Sequence, residues 1–215
     1  MSETRAPASN DAVRSLRASY ALAAGAAAAT AASADASIVY SGVQDLSISQ
    51  GFALNLNLDN DAYGDVLLKN YVWGGASYMG ATVNYFPGKL VSFNAGSFGY
   101  AYVSALSSGA AIDASSAGPN FFGSMAFGSA NPNAQFNNAS NAYLGLSFAS
   151  GANLYYGWVR VSVNQAAGSF IVHDWAYENS GAGIAAGAVP APGALGLFAA
   201  GASGLGFLRG RKRSA

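Results

Sequence analysis

The chain has 215 residues, only 9 % of them charged, with ten basic side chains balanced by ten acidic ones. It has no cysteine and one histidine, which excludes disulfides, thiolate catalysis and thiolate metal sites and leaves little acid–base chemistry. The balance hides an asymmetry. Arg5, Arg14 and Arg17 lie near the start and Arg209, Arg211, Lys212 and Arg213 crowd the end, while residues 35–189 hold three bases against eight acids. A middle that is five charges negative argues against a nucleic-acid partner, because phosphate backbones are bound by clustered Lys and Arg.

The first predicted element is a leader. Arg14 and Arg17 precede an apolar, alanine-rich run over 19–32, and small residues follow. This is the layout of a secretory signal peptide over 1–34. Ala32-Ser33-Ala34 supplies the A-x-A cleavage site, with Ala34-Asp35-Ala36 as the second choice. The alternative is an Ala-rich leader that stays on the chain.

Residues 35–179 read as an all-β passenger. Phe52, Leu54, Leu56 and Leu58 alternate with small or polar residues, the period of two that marks a half-buried strand. The runs 38–40, 66–73, 77–86, 90–93, 98–103, 121–127 and 142–148 are similar in kind, and Gly, Asn, Ser or Pro clusters separate most of them. Tyr155, Val159, Val161 and Val163 alternate again, which turns Trp158, Arg160 and Ser162 to the opposite face. After a turn over 164–168, residues 169–177 return as a strand rich in β-branched and aromatic side chains. No long 3.6-residue period interrupts this pattern. Eight to ten short strands predict a two-sheet β-sandwich, of which a jelly roll is one form, with the longest loops (107–120 and 128–141) at a rim.

Three features of the passenger bear on chemistry. Asn57, Asp59, Asp61 and Asp65 place side-chain oxygens at relative positions 1, 3, 5 and 9, with the Tyr63 carbonyl at 7. That spacing suits a calcium loop, although Ala62 stands where such loops need Gly and Leu68 where a bidentate Glu would sit. A plain polar turn is the alternative, since Asp, Asn and Gly favour turns without metal. Catalytic residues are not evident. His173 and Asp174 are adjacent, so a regular strand turns them to opposite faces, and no nucleophile-elbow pattern is present. A triad assembled from distant residues stays open, but the composition predicts a non-enzymatic chain. Trp158 and Trp175 are the candidate glycan contacts, with His173, Trp175 and Tyr177 expected on one face. The alternative is that these rings fill a buried sheet face.

Residues 180–188 are small and read as a flexible linker. The tail follows. Residues 193–208 are sixteen positions without a charge, closed by the basic stop Arg209, Arg211, Lys212 and Arg213. A helix of that length spans about 24 Å, slightly short of the ~30 Å hydrocarbon core, and its basic end would remain cytoplasmic. Pro190 and Pro192 keep such a helix from running back into the passenger.

Val189-Pro190-Ala191-Pro192, the short Gly/Ala/Leu-rich segment and the terminal basic cluster together resemble the PEP-CTERM sorting signal of Gram-negative bacteria. Ala191 departs from the pattern, standing where the name-giving motif has Glu. Residues 155–178 also look, more loosely, like the last hairpin of many passengers carrying this tail. The resemblance implies recognition by the membrane protease exosortase, transient anchoring in the inner membrane, delivery to the cell surface or beyond, and association with extracellular polysaccharide. A plain C-terminal membrane anchor is the alternative. Two roles follow from these readings: a structural, matrix-associated surface protein, or a lectin-like glycan-binding module.

Overall fold

The computed structural model describes residues 37–128 and 131–190; the expected leader, Ala191, Pro192 and the expected membrane helix lie outside the described residues. In chain order the strands are β1 (Ile38–Tyr40), β2 (Leu46–Ile48), β3 (Phe52–Leu56), β4 (Val66–Trp73), β5 (Ala76–Val83), β6 (Lys89–Leu90), β7 (Ser92–Ala95), β8 (Tyr100–Val103), β9 (Ala105–Leu106), β10 (Ala111–Ile112), β11 (Phe122–Phe127), β12 (Ala142–Ser150), β13 (Asn153–Asn164), β14 (Ser169–Glu178) and β15 (Ile184–Ala185). Every regular element among the described residues is a strand, so the all-β class holds.

Two large sheets face one another. The first runs β1-β14-β13-β12-β6, with β2 also on β14 and β9 also on β12; the second runs β3-β4-β5-β11-β8-β7. The alternation read from the sequence builds the core between them. Leu56, Val66, Leu68, Met79, Ala81 and Val83 from the second sheet meet Leu144, Leu146, Phe148, Val159, Val161 and Phe170 from the first, and all are buried. At about 25 cal/mol per Å², burial of these aliphatic and aromatic side chains supplies the main force holding the layers together.

The edge of the first sheet is split. β1 pairs with the end of β14 (Tyr40↔Ala176) and β2 with its beginning (Ile48↔Phe170), so residues 41–45 cross the middle of β14. At that crossing β14 bulges: Arg160 is opposite Asp174, but Val161 is opposite Val172. The extra residue turns both His173 and Asp174 to the outer face and returns Trp175 and Tyr177 to the inter-sheet core. This corrects the expectation that His173 and Asp174 face apart and that His173, Trp175 and Tyr177 share a face.

The outer face of the first sheet carries a second apolar cluster. Tyr156, Trp158 and Ala176 are covered there by Ile112, Ile184 and Ala186. Residues 180–188, expected as a flexible linker, instead form a strap. β15 pairs with β10 (Ile112↔Ile184), Ala186 N–H donates to the Ala110 carbonyl, and the Trp158 indole N–H donates to the Ala188 carbonyl at 3.1 Å. Small residues serve this strap because they let the backbone lie close against the sheet.

Candidate functional site

The outer face of the second sheet is aromatic and open. In the β4–β5 register Tyr71 lies opposite Tyr78, and in β5–β11 Tyr78 lies opposite Phe127. β8 adds Tyr100 and Tyr102, and β7 adds Phe93, which stacks on Tyr102 with centroids 5.7 Å apart. Trp73 leans on Phe127 at 5.4 Å, and Tyr78 meets the same ring edge-on at 6.2 Å. Each is carried by a strand rather than a loop, so its position is fixed by sheet hydrogen bonds. Trp73 nevertheless remains 68 % exposed and Tyr100 59 %.

Two adjoining hollows share Trp73 and Tyr78. One, of about 450 Å³, lies between Tyr78, Tyr100, Tyr102, Phe122, Ser124 and Phe127; the other, of about 610 Å³, lies beside Tyr71 and Gly51. Their size suits a small ligand or a stretch of polymer. Gly80 lies beneath the Tyr78 ring: a Cβ there would run into the Tyr78 hydroxyl, so glycine lets that ring lie flat along the strand. The Ser124 hydroxyl oxygen is buried and has no hydrogen-bond partner among the described residues. Asn131 donates its side-chain N–H to the Tyr102 hydroxyl at 3.2 Å. Among the described residues, none lining either hollow is charged.

The tryptophans expected to contact glycan lie elsewhere. Trp158 is 1 % exposed beneath the strap, packed between Tyr40 and Tyr143. Trp175 is half-buried against the inter-sheet core. The strap covers Trp158, and the bulge turns Trp175 toward the inter-sheet core. The aromatic face was missed although Tyr71, Trp73 and Tyr78 sit in strands read from the sequence. The signal available was a pair of aromatics two residues apart at the end of β4, Tyr71 and Trp73, and another on β8, Tyr100 and Tyr102.

The 57–65 loop is closed by its own hydrogen bonds. Asp59 Oδ1 accepts from Asp61 N–H at 3.1 Å, Asp61 Oδ1 from Tyr63 N–H at 2.6 Å, and Asp65 Oδ2 from Leu58 N–H at 2.6 Å. Asn57 donates its side-chain N–H to the Asp61 carbonyl, which leaves Asn57 Oδ1 buried without a partner among the described residues. Among the described residues no three acidic or histidine side chains lie close enough to share a cation. Burial pushes the Asp65 carboxyl up to about 7, helped by the nearby charges of Asp59 and Asp61 and opposed by the Leu58 N–H.

A polar chain crosses the outer face of the first sheet. Tyr40 donates to Asp174 at 2.8 Å, and Arg160 grips Asp174 through two N–H donors at 2.8 and 2.6 Å. Burial alone would raise the Asp174 carboxyl, but the Arg160 guanidinium and the Tyr40 hydroxyl hold it below the usual carboxylate range. Arg160 also donates to Asn141 Oδ1 at 3.0 Å, and the Asn141 backbone N–H donates to Ser162 Oγ at 3.0 Å. Ser162 in turn meets His173, and His173 meets Asp45. Comparison with known proteins adds no relative: no family model, no curated protein and no solved structure matches this chain.

Proposed function

We propose that this chain is an exported bacterial surface protein, sorted through its PEP-CTERM-like tail, whose β-sandwich binds a neutral polysaccharide in the aromatic cleft of the second sheet. The observation that carries the binding reading is the cleft: ring faces interleaved with hydroxyl and amide groups, no charge, and an unpaired Ser124 hydroxyl. A pyranose offers an apolar C–H face and a polar hydroxyl edge, and Tyr and Trp match both because each joins an apolar ring to a polar tip. An acidic polymer fits poorly. Residues 35–189 are five charges negative, Lys69 is engaged with Thr82 and Arg160 with Asp174.

The leader supports export. The 189–215 tail supports exosortase recognition and passage through the inner membrane, and the absence of clustered cations from residues 35–189 supports a role without nucleic acid. Calorimetric titration of the 35–190 fragment with neutral and acidic polysaccharides tests the reading. Binding to a neutral polymer, lost by about tenfold or more in Trp73→Ala, is expected of a ring that carries a large share of the contact. Equal affinity in that variant removes the cleft from the account.

A further inference from the structure

The outer face of the first sheet carries a second arrangement, independent of the glycan-binding reading. Ser162 Oγ lies 2.8 Å from His173 Nε2, and His173 Nδ1 lies 2.6 Å from Asp45 Oδ1. With Nδ1–H donating to the carboxylate, Nε2 is left to accept the Ser162 hydroxyl proton. Nucleophile, base and orienting carboxylate therefore stand in the order that acyl-transfer chemistry uses. Composition argued against such a site, but topology assembles it from the β1–β2 crossing, β13 and β14.

Irregular backbone brings each part into place. The bulge aims His173 outward beside Ser162, and bulges next to reacting groups serve that purpose. Asp45 reaches the ring from a left-handed conformation, φ +50°. Asn141, whose N–H donates to Ser162 Oγ, has φ +53°, and Asn138, which lines the adjoining hollow, has φ +54°. Asn60 is the fourth non-glycine residue with such a backbone among the described residues, so three of the four belong to this arrangement or its adjoining hollow. Strain of this kind gathers where function requires it. The hollow beside Ser162 has a volume of about 440 Å³, opens to solvent and is lined by no charged residue.

We infer that Ser162, His173 and Asp45 form a nucleophilic site that hydrolyses small, uncharged carboxylic esters. The Ser162 oxygen adds to the ester carbonyl carbon as its proton passes to His173 Nε2. The C–O bond to the alcohol then breaks, and the alcohol leaves with that proton. Water, activated by the same nitrogen, adds to the acyl-serine and releases the carboxylic acid, restoring Ser162. The Asn141 N–H donates to the Ser162 oxygen and holds it beside His173 Nε2. Asp45 acts as a positioning residue, holding the ring in the tautomer that leaves Nε2 free.

The test uses the purified full chain and p-nitrophenyl acetate. Nitrophenol release should exceed that of Ser162→Ala and His173→Gln by about a hundredfold, the usual scale of a lost general base. Asp45→Asn should lower kcat with KM and melting midpoint unchanged. A fluorophosphonate probe, read on the unaltered protein so that no variant need fold, should label the peptide holding Ser162. A rate equal to that of Ser162→Ala, or a probe that leaves Ser162 unlabelled, overturns the proposal.

Discussion

Asp65 is 3 % exposed at the start of β4 and must either keep a proton or hold a charge out of water. Its carboxyl titrates near 7 in the folded chain but near 4 when unfolded, so the folded state binds the proton more tightly. The stability this confers is complete below about pH 4 and is lost as pH rises through about 7. Asp65→Asn keeps an oxygen for the Leu58 N–H and removes the titration. Its melting midpoint should therefore lack the fall that the parent shows between pH 4 and 8, and a parallel fall in both would contradict the assignment. The same loop bears on the calcium expectation. Asp59 and Asp61 already accept backbone N–H groups, so the turn reading predicts equal melting in millimolar calcium and in chelator. A calcium-dependent rise abolished by Asp61→Ala would restore the cation. Sequence spacing alone does not separate the two, because Asx turns and calcium loops use the same residues.

Among the elements, β4 matches the expected 66–73 run, and β12, β13 and β14 lie within a few residues of theirs, because long alternation leaves one face no choice but the core. β2, β9, β10 and β15 were missed. Two or three residues each, they are defined by pairing partners distant in the chain rather than by any local pattern. The β14 bulge was equally illegible, since the residues 170–178 look regular and only the register against β13 reveals the extra one. The strap illustrates the limit of composition, for its alanines and glycines read as flexible until Trp158 is seen beneath them. Trp158→Phe should cost about 1 to 2 kcal/mol in chemical denaturation, through the lost bond to Ala188 and reduced packing. It should also open 180–188 to proteases; unchanged resistance would mean that the β10–β15 pairing alone holds the strap. Gly80→Ala should displace the Tyr78 hydroxyl and weaken polysaccharide binding with little change in stability, because the clash is with the far end of a mobile side chain.

For the whole molecule, the core among the described residues is built from residues 38–188. The two packed sheets leave two outer faces with different occupations. Strap and polar chain cover much of one, while the other presents its rings to solvent. On the proposed reading such a face stays open because sorting would deliver the passenger to the place where polymer is met. Deleting 193–215 should release the passenger without membrane-linked processing, and loss of exosortase should change its size and location; unchanged size and location in an exosortase-deficient strain would leave a plain anchor. Binding itself can be read from an intrinsic probe. Of the three tryptophans, Trp73 alone is largely exposed, with Trp158 buried and Trp175 half-buried. Iodide quenching of tryptophan fluorescence therefore reports mainly on the cleft, and saturating neutral polysaccharide should abolish most of that quenching in the parent but not in Trp73→Ala. Quenching of the parent that stays the same across neutral polysaccharides would contradict the account.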